Sequence, residues 1–278
     1  MRFGIETKGP KQLEPHTLVI FDFSGTLSLS AVDFGKPDCL ERHLEKSGLA
    51  AIGIDTADRY WQAVVNPTWS AASVSATGFK VIAAEYIQAQ ALSKAPRQSI
   101  AAALTRFVDA YLRCSTIDAK WQPLLAEIQQ SPDAVGLIAT DHYAEATLAI
   151  QEHLAALGIT AIPASGPKGS QRRTTFIVAN SADIGCPKAE PRFWQILQAT
   201  CLPRQLKQVI LVDDFGRSEQ AADGYAHPGR IAARITATQK ALGKVLQVAP
   251  RIIPFRIEGE PADAITTAVQ SVRKAWQA

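Results

Sequence analysis

The chain of 278 residues is poor in several features that would each have announced a function class. Its four cysteines, Cys39, Cys114, Cys186 and Cys201, lie far apart and form no Cys-x-x-Cys or Cys/His pair of zinc spacing. Neither a disulfide framework nor a zinc module is expected, and free buried thiols are the reading. No apolar run approaches the ~18 residues needed to cross a bilayer, so no membrane partner is expected. The segment from Met1 to Pro15 carries charges and prolines in place of an apolar stretch, which argues against a secretory leader and leaves a cytoplasmic location as the expectation. Charge is almost balanced, with 29 Lys and Arg against 26 Asp and Glu. The formal excess of +3 is small, and no basic stripe is interleaved with aromatics, so nucleic acid is not expected as a partner. There is no internal repeat, no low-complexity tract, and no Gly-x-Gly-x-x-Gly or Gly-Lys-Ser/Thr cradle for a nucleotide.

What is present is an ordinary globular composition, 47% hydrophobic and 20% charged, in a chain long enough for one sizeable core and a smaller appendage. The run Thr17-Leu18-Val19-Ile20-Phe21 is rich in β-branched and aromatic residues and reads as a strand buried in a parallel sheet. Further strands are expected at Val135 to Ala139, Ala161 to Pro163, Thr175 to Ala179, Gln208 to Val212 and Arg251 to Ile257, alternating with helices. That alternation implies right-handed β-α-β units and a doubly wound parallel sheet, a Rossmann-type α/β core. Between Leu29 and Ile117 no strand-like run occurs, and helical spacing appears in Phe79-Val81-Ile82-Tyr86-Ile87 and in Ile100-Leu104-Phe107-Val108-Tyr111-Leu112. The expected division is therefore a core of residues 1–30 and 118–278 and a smaller helical domain of residues 31–117. The segment Pro261 to Gln277 spaces Ile265, Val269, Val272 and Trp276 along one helical face, which should pack on the sheet. Ser165 to Arg173 is the most turn-like stretch and is expected as an exposed basic loop.

The first strand runs into Asp22-Phe23-Ser24-Gly25-Thr26, so a carboxylate projects from the strand's carboxyl end, where open α/β sheets bind ligands. Three more segments follow in order: Val135-Gly136-Leu137-Ile138-Ala139-Thr140, then Lys188 within Gly185-Cys186-Pro187-Lys188-Ala189-Glu190-Pro191, then Val209-Ile210-Leu211-Val212-Asp213-Asp214. Together these resemble the four ordered motifs of the haloacid dehalogenase (HAD) superfamily. The resemblance implies a HAD-like core with a type 1 helical cap between the first and second motifs, closing over the site. It also implies a Mg²⁺-dependent phosphoryl-transfer hydrolase, phosphatase-like, acting on a small phosphorylated metabolite through an aspartyl-phosphate.

Each position has a chemical reason. Asp22 as nucleophile would split a hard displacement into two easier steps. Two anions must then meet, and Mg²⁺ offsets their repulsion, held by the carboxylates of Asp22, Asp213 and Asp214 and the backbone carbonyl of Ser24. Thr140 would bind a phosphoryl oxygen and Lys188 would neutralise charge during transfer. Thr140 followed by Asp141 could instead cap the next helix.

One position departs from the family's phosphatase pattern. Ser24 stands where most members carry a second Asp, the proton donor, and general acid–base help is typically worth ~10²–10⁴-fold. Asp141 and His142 are nearby candidates for the missing role, although His142 reads more simply as a surface or cap residue. The gap leaves two alternatives open: a phosphonatase-like C–P hydrolase, which would need a cap lysine such as Lys36 or Lys80, or a weakened protein that binds a phospholigand without turnover. Trp61 and Trp69 are expected as packing within the helical insertion.

Overall fold

The computed structural model describes residues 16–166 and 175–278. The amino-terminal segment and most of the basic loop expected at Ser165 to Arg173 lie outside the described residues. Six strands form one all-parallel sheet: β1 (Thr17–Phe21), β2 (Ala134–Thr140), β3 (Ala161–Pro163), β4 (Phe176–Asn180), β5 (Gln208–Asp213) and β6 (Arg251–Pro254), in the order β3-β4-β2-β1-β5-β6. The fourth strand starts one residue later than the sequence suggests, and β6 stops at Pro254, which stands against Asp213, the last residue of β5.

Helices fill the connections. Between β1 and β2 lie α1 (Leu29–Phe34), α2 (Pro37–Ser47), α3 (Ala57–Tyr60), α4 (Asn66–Ala72), α5 (Phe79–Ala89), α6 (Arg97–Cys114) and α7 (Gln122–Gln130). After β2 come α8 (Ala146–Ala156), α9 (Ser181–Ile184), α10 (Pro191–Thr200), α11 (Pro228–Leu246) and α12 (Pro261–Trp276). Among the described residues no helix is long and apolar enough to cross a membrane.

Alternation along β1 sends its side chains to two cores, because successive residues of a strand face opposite sides of the sheet. Val19 and Phe21 join Ile138, Val178, Ile210 and Val212 on one face, covered by Leu124 and Ile128 of α7, Ile150 and Leu154 of α8, and Ile265, Val269 and Val272 of α12. Leu18 and Ile20 face the other way, against Phe193, Trp194 and Leu197 of α10 and Leu242 and Val245 of α11. The first cluster continues without a break into the helices between β1 and β2, through Phe34, Leu40, Leu44, Ile87, Leu104 and Phe107. Leu148 is exposed on α8. The cysteines are all free, but only Cys186 is buried; Cys114 sits exposed at the end of α6, so the expectation of buried thiols holds for one of the four.

What matters for function is the centre of the sheet. β1 is flanked by β2 and β5 in a register that sets Phe21 against Ile138 and Val212. The chain leaves β1 toward β2 and returns on its other side as β5, so the carboxyl end of β1 is the topological switch point, where doubly wound sheets open a crevice for ligands.

Candidate active site

Asp22 follows β1 directly, and its N–H donates to the Val212 carbonyl at 2.9 Å, so the residue continues the ladder while its carboxylate reaches past the sheet's edge. Asp213 is the last residue of β5, and Thr140 the last of β2. Three neighbouring strands thus deliver three polar side chains to one point. Lys188 arrives from the turn before α10, held by its N–H donating to Asp141 Oδ1 at 2.8 Å and by its carbonyl accepting from Trp194 Nε1 at 2.7 Å. Its ammonium lies 2.7 Å from Asp22 Oδ1 and 2.8 Å from Asp213 Oδ2, and only 1% of the residue is exposed. Burial pulls an ammonium down, but Asp213 and Asp22 outweigh it here and hold the Lys188 pKa well above the usual lysine range.

Asp214 is fixed by the loop that follows β5. Its N–H donates to Thr26 Oγ1 at 3.0 Å, and its own oxygens accept from the N–H groups of Gly216 at 3.0 Å and Ser218 at 2.8 Å. Gly25 makes room for it. A Cβ at that position would lie 2.5 Å from Asp214 Oδ2, and the φ of +72° is one that residues with side chains avoid.

Asp22, Asp213 and Asp214 each offer an oxygen within 4.8 Å of the others, all three buried. Burial pushes the Asp213 carboxyl up to about 8, with Lys188 opposing and Asp22 and Asp214 adding to the rise; Asp214 is raised by burial and then by Asp22. Asp213 Oδ2 is buried and, despite the nearby ammonium, accepts no well-directed hydrogen bond. Three carboxylates facing one ammonium, with one oxygen left unsatisfied, match what a hard divalent cation requires, and Mg²⁺ fits this donor set.

Ser24 is oriented by a partner that sequence reasoning missed. Its hydroxyl donates to Glu219 Oε1 at 2.7 Å, and burial, followed by Asp214 and Asp223, pushes the Glu219 carboxyl up to about 8. Glu219 lies in the loop after Asp214, outside any motif, and no signal in the sequence distinguishes it from a surface glutamate. His142 is buried, contrary to the surface reading. It accepts the Tyr143 N–H at Nδ1, 2.8 Å away, meets the Tyr111 hydroxyl at 3.0 Å, and burial lowers its pKa to about 4. Asp141 is engaged by the Lys188 backbone. Thr140 caps nothing, because α8 begins only at Ala146 behind Glu145.

Asp22, Ser24, Thr140 and Asp214 line one cavity together with Glu219, His142 and a set of aromatic side chains from the helices between β1 and β2. Trp61 and Trp69 are among them; the two pack against the apolar core and also face this space, which corrects their reading as packing alone. Lys36 and Lys80 do not line it: the first pairs with Asp33 on the surface and the second with Asp109.

No family model and no curated protein sequence matches the chain. Among solved structures, it is similar to the HAD family enzyme bt-2542 from Bacteroides thetaiotaomicron, a variant in complex with magnesium and inorganic phosphate, at 11% identity and a TM-score of 0.47 over 90% of this chain and 98% of that one. It is also similar to a 2-haloacid dehalogenase from Pseudomonas syringae pv. tomato DC3000, at 14% identity and a TM-score of 0.47 over 76% of this chain and 84% of that one. A predicted HAD-like family hydrolase from Porphyromonas gingivalis is similar at 14% identity and a TM-score of 0.43, over 92% and 98% of the respective chains.

Proposed function

We propose that the chain is a HAD-superfamily hydrolase that moves a phosphoryl group from a small phosphorylated metabolite to Asp22 and then to water, with Mg²⁺ as its cofactor. The observation that carries the reading is the placement of Lys188 Nζ between Asp22 Oδ1 and Asp213 Oδ2 at the switch point of the sheet, with Thr140 and Asp214 lining the same cavity as Asp22. When bound among Asp22, Asp213, Asp214 and the Ser24 carbonyl, Mg²⁺ supplies the positive charge that lets two anions approach.

In the first step an Asp22 carboxylate oxygen attacks phosphorus, and the bond from phosphorus to the departing oxygen breaks. Lys188 holds the nucleophile in place and, shared between two carboxylates, keeps its charge at the point where phosphoryl oxygens gather. Thr140 offers its hydroxyl to one of those oxygens. The departing oxygen needs a proton that a serine hydroxyl supplies poorly. Glu219, protonated because burial pushes its carboxyl up to about 8, provides it by donating to Ser24 Oγ. As it does so the serine hydroxyl, which in the resting site points at Glu219, turns its own proton to the departing oxygen. In the second step water attacks phosphorus and gives a proton through Ser24 Oγ back to Glu219; the bond from phosphorus to the Asp22 oxygen breaks, and Asp22 is freed with inorganic phosphate. We further propose that residues 31–117 act as a cap over a core formed by residues 1–30 and 118–278, excluding bulk water from Asp22 while admitting the one molecule that hydrolyses the aspartyl-phosphate.

The test is phosphate release from an activated aryl phosphate and from alkyl phosphates, with and without chelator, by the native protein, Asp22→Asn and Glu219→Gln. Release is expected to vanish in Asp22→Asn and in chelator. Glu219→Gln is expected to slow alkyl esters by about 10²-fold or more and to spare the aryl ester, whose leaving group needs no proton. Full activity in Asp22→Asn would sink the proposal. A phosphonatase is disfavoured by Lys36 and Lys80, both paired away from the cavity.

A further inference from the structure

The cavity in front of Asp22 is unusual in what it sets beside the phosphoryl site. Tyr60, Trp61, Trp69, Tyr111, Tyr143 and Tyr225 all line it. Their rings hold one another in place: Trp69 meets Tyr143 and Tyr225 edge-on at 5.3 and 5.6 Å, and Tyr143 stacks on Phe79 at 4.2 Å. Among the described residues the lining contains five carboxylates and no lysine or arginine. At one end Asp22 is answered by Lys188 and Asp214 by backbone N–H groups and the metal position. Asp223, whose carboxyl burial raises, has a weaker answer, the field of Arg234, which only partly opposes that rise. It makes no ion pair among the described residues, its Oδ1 takes only the Tyr225 N–H at 2.8 Å, and its charge is felt by Tyr60, Tyr111 and Tyr143 alike, whose hydroxyls it helps push up.

We infer that the group esterified to the phosphoryl in this protein's substrate is a compact organic cation of the alkylammonium class, seated among the aromatic faces with Asp223 as its counter-charge. The inference rests on the phosphoryl-transfer reading for which end of the substrate meets Asp22. Three features argue for a cation. Aromatic faces carry negative charge density and attract ammonium groups, quaternary ones above all, without requiring hydrogen bonds. A second anionic group on the substrate would meet Asp223 with no lysine or arginine in the lining to receive it. A neutral apolar group would fill the rings but leave Asp223 further desolvated and unpaired, which is costly, whereas a cation offsets that desolvation. Arg234 lowers the Asp223 carboxyl by its field but makes no ion pair with it: its guanidinium covers one face of Tyr225 at 3.4 Å from the ring centre and donates to the Phe215 and Tyr225 carbonyls.

The experiment compares two probes of nearly equal shape. Choline and its uncharged isostere 3,3-dimethylbutan-1-ol are titrated into the intact protein with tryptophan fluorescence as the readout, and the phosphate esters of the two are then offered for hydrolysis. Choline is expected to bind at least tenfold more tightly than the alcohol, and Asp223→Asn to erase most of that preference. Equal binding of the two probes, binding of neither, or a preference that survives Asp223→Asn overturns the inference. The ester pair separates this claim from the one beneath it. Choline binding with no hydrolysis of either ester, or of an aryl phosphate, contradicts the phosphoryl-transfer reading and leaves the cation site standing. Hydrolysis of both esters at equal kcat/KM contradicts the cation site and leaves the phosphoryl-transfer reading standing.

Discussion

Single atoms decide whether this site can assemble. Asp214 approaches the first strand only because Gly25 lacks a Cβ, and Gly25→Ala would drive a methyl group to 2.5 Å from Asp214 Oδ2 in a backbone region that costs alanine about 1–2 kcal/mol. Displacing a ligating carboxylate by about 1 Å can cost about 10²-fold in rate. Gly25→Ala is therefore expected to lower kcat/KM by about that factor and to raise the Mg²⁺ concentration needed for half-activity; unchanged Mg²⁺ dependence would show that Asp214 has no such role. His142 supplies a prediction about stability. Burial holds its pKa at about 4 against an ordinary 6.5, so the folded state resists a proton that the unfolded chain accepts. The sign follows from linkage: its contribution is full above pH 6.5 and is lost as pH falls through 4, a loss of roughly 3 kcal/mol in all. Urea midpoints at pH 7 and pH 4.5 should differ more for the native protein than for His142→Gln; equal differences would mean that the histidine titrates normally.

At the scale of elements, the site depends on how the loop after β5 is tied to the helices that follow β1. Asn66, at the start of α4, donates to the Ala222 carbonyl at 3.0 Å and accepts the Gly224 N–H at 2.9 Å, while Gln220 donates to the Val32 carbonyl of α1 at 3.3 Å. That loop carries Glu219, Asp223 and Tyr225, so these bonds set the distance between the aromatic lining and Asp22. Just before α4 the chain makes a π-helical turn over Trp61–Val65, an irregularity common near functional sites, and it carries one of the lining tryptophans. Asn66→Ala removes two hydrogen bonds, worth about 1 kcal/mol each. It is expected to lower stability by about 2 kcal/mol and to speed amide exchange at Gly224 more than at the β1 amides. Uniform acceleration across both would place the loop inside the global unfolding unit.

At the scale of the whole molecule, the sequence carried the sheet and the carboxylates, and the reason is periodicity. The strand runs at Leu18, Leu137 and Val209 are buried on both faces, so each reads as a continuous apolar segment, and each ends in a polar residue that the parallel register brings to the same edge. Lys188 was legible only by its place between the second and fourth motifs of the resemblance, since by itself a lysine after a proline reads as an exposed loop residue. Glu219 was not, because a loop has no period and its burial comes from segments nearly two hundred residues away, Ser24 foremost. Trp61 and Trp69 gave only half their meaning, since an aromatic on a helix reads as core until a second element is seen to leave space against it. Nothing in the sequence selected between Lys36 and Lys80; the first pairs with Asp33, three residues before it, and the second with Asp109, a tertiary pairing that spacing does not show. The central claim is that Asp22 carries the phosphoryl group during turnover, and rapid acid quench of the protein turning over a ³²P-labelled phosphomonoester with Mg²⁺ tests it most directly. The account predicts hydroxylamine-labile label on the peptide containing Asp22 and none in Asp22→Asn; phosphate released while the protein stays unlabelled, or label on another residue, would contradict it.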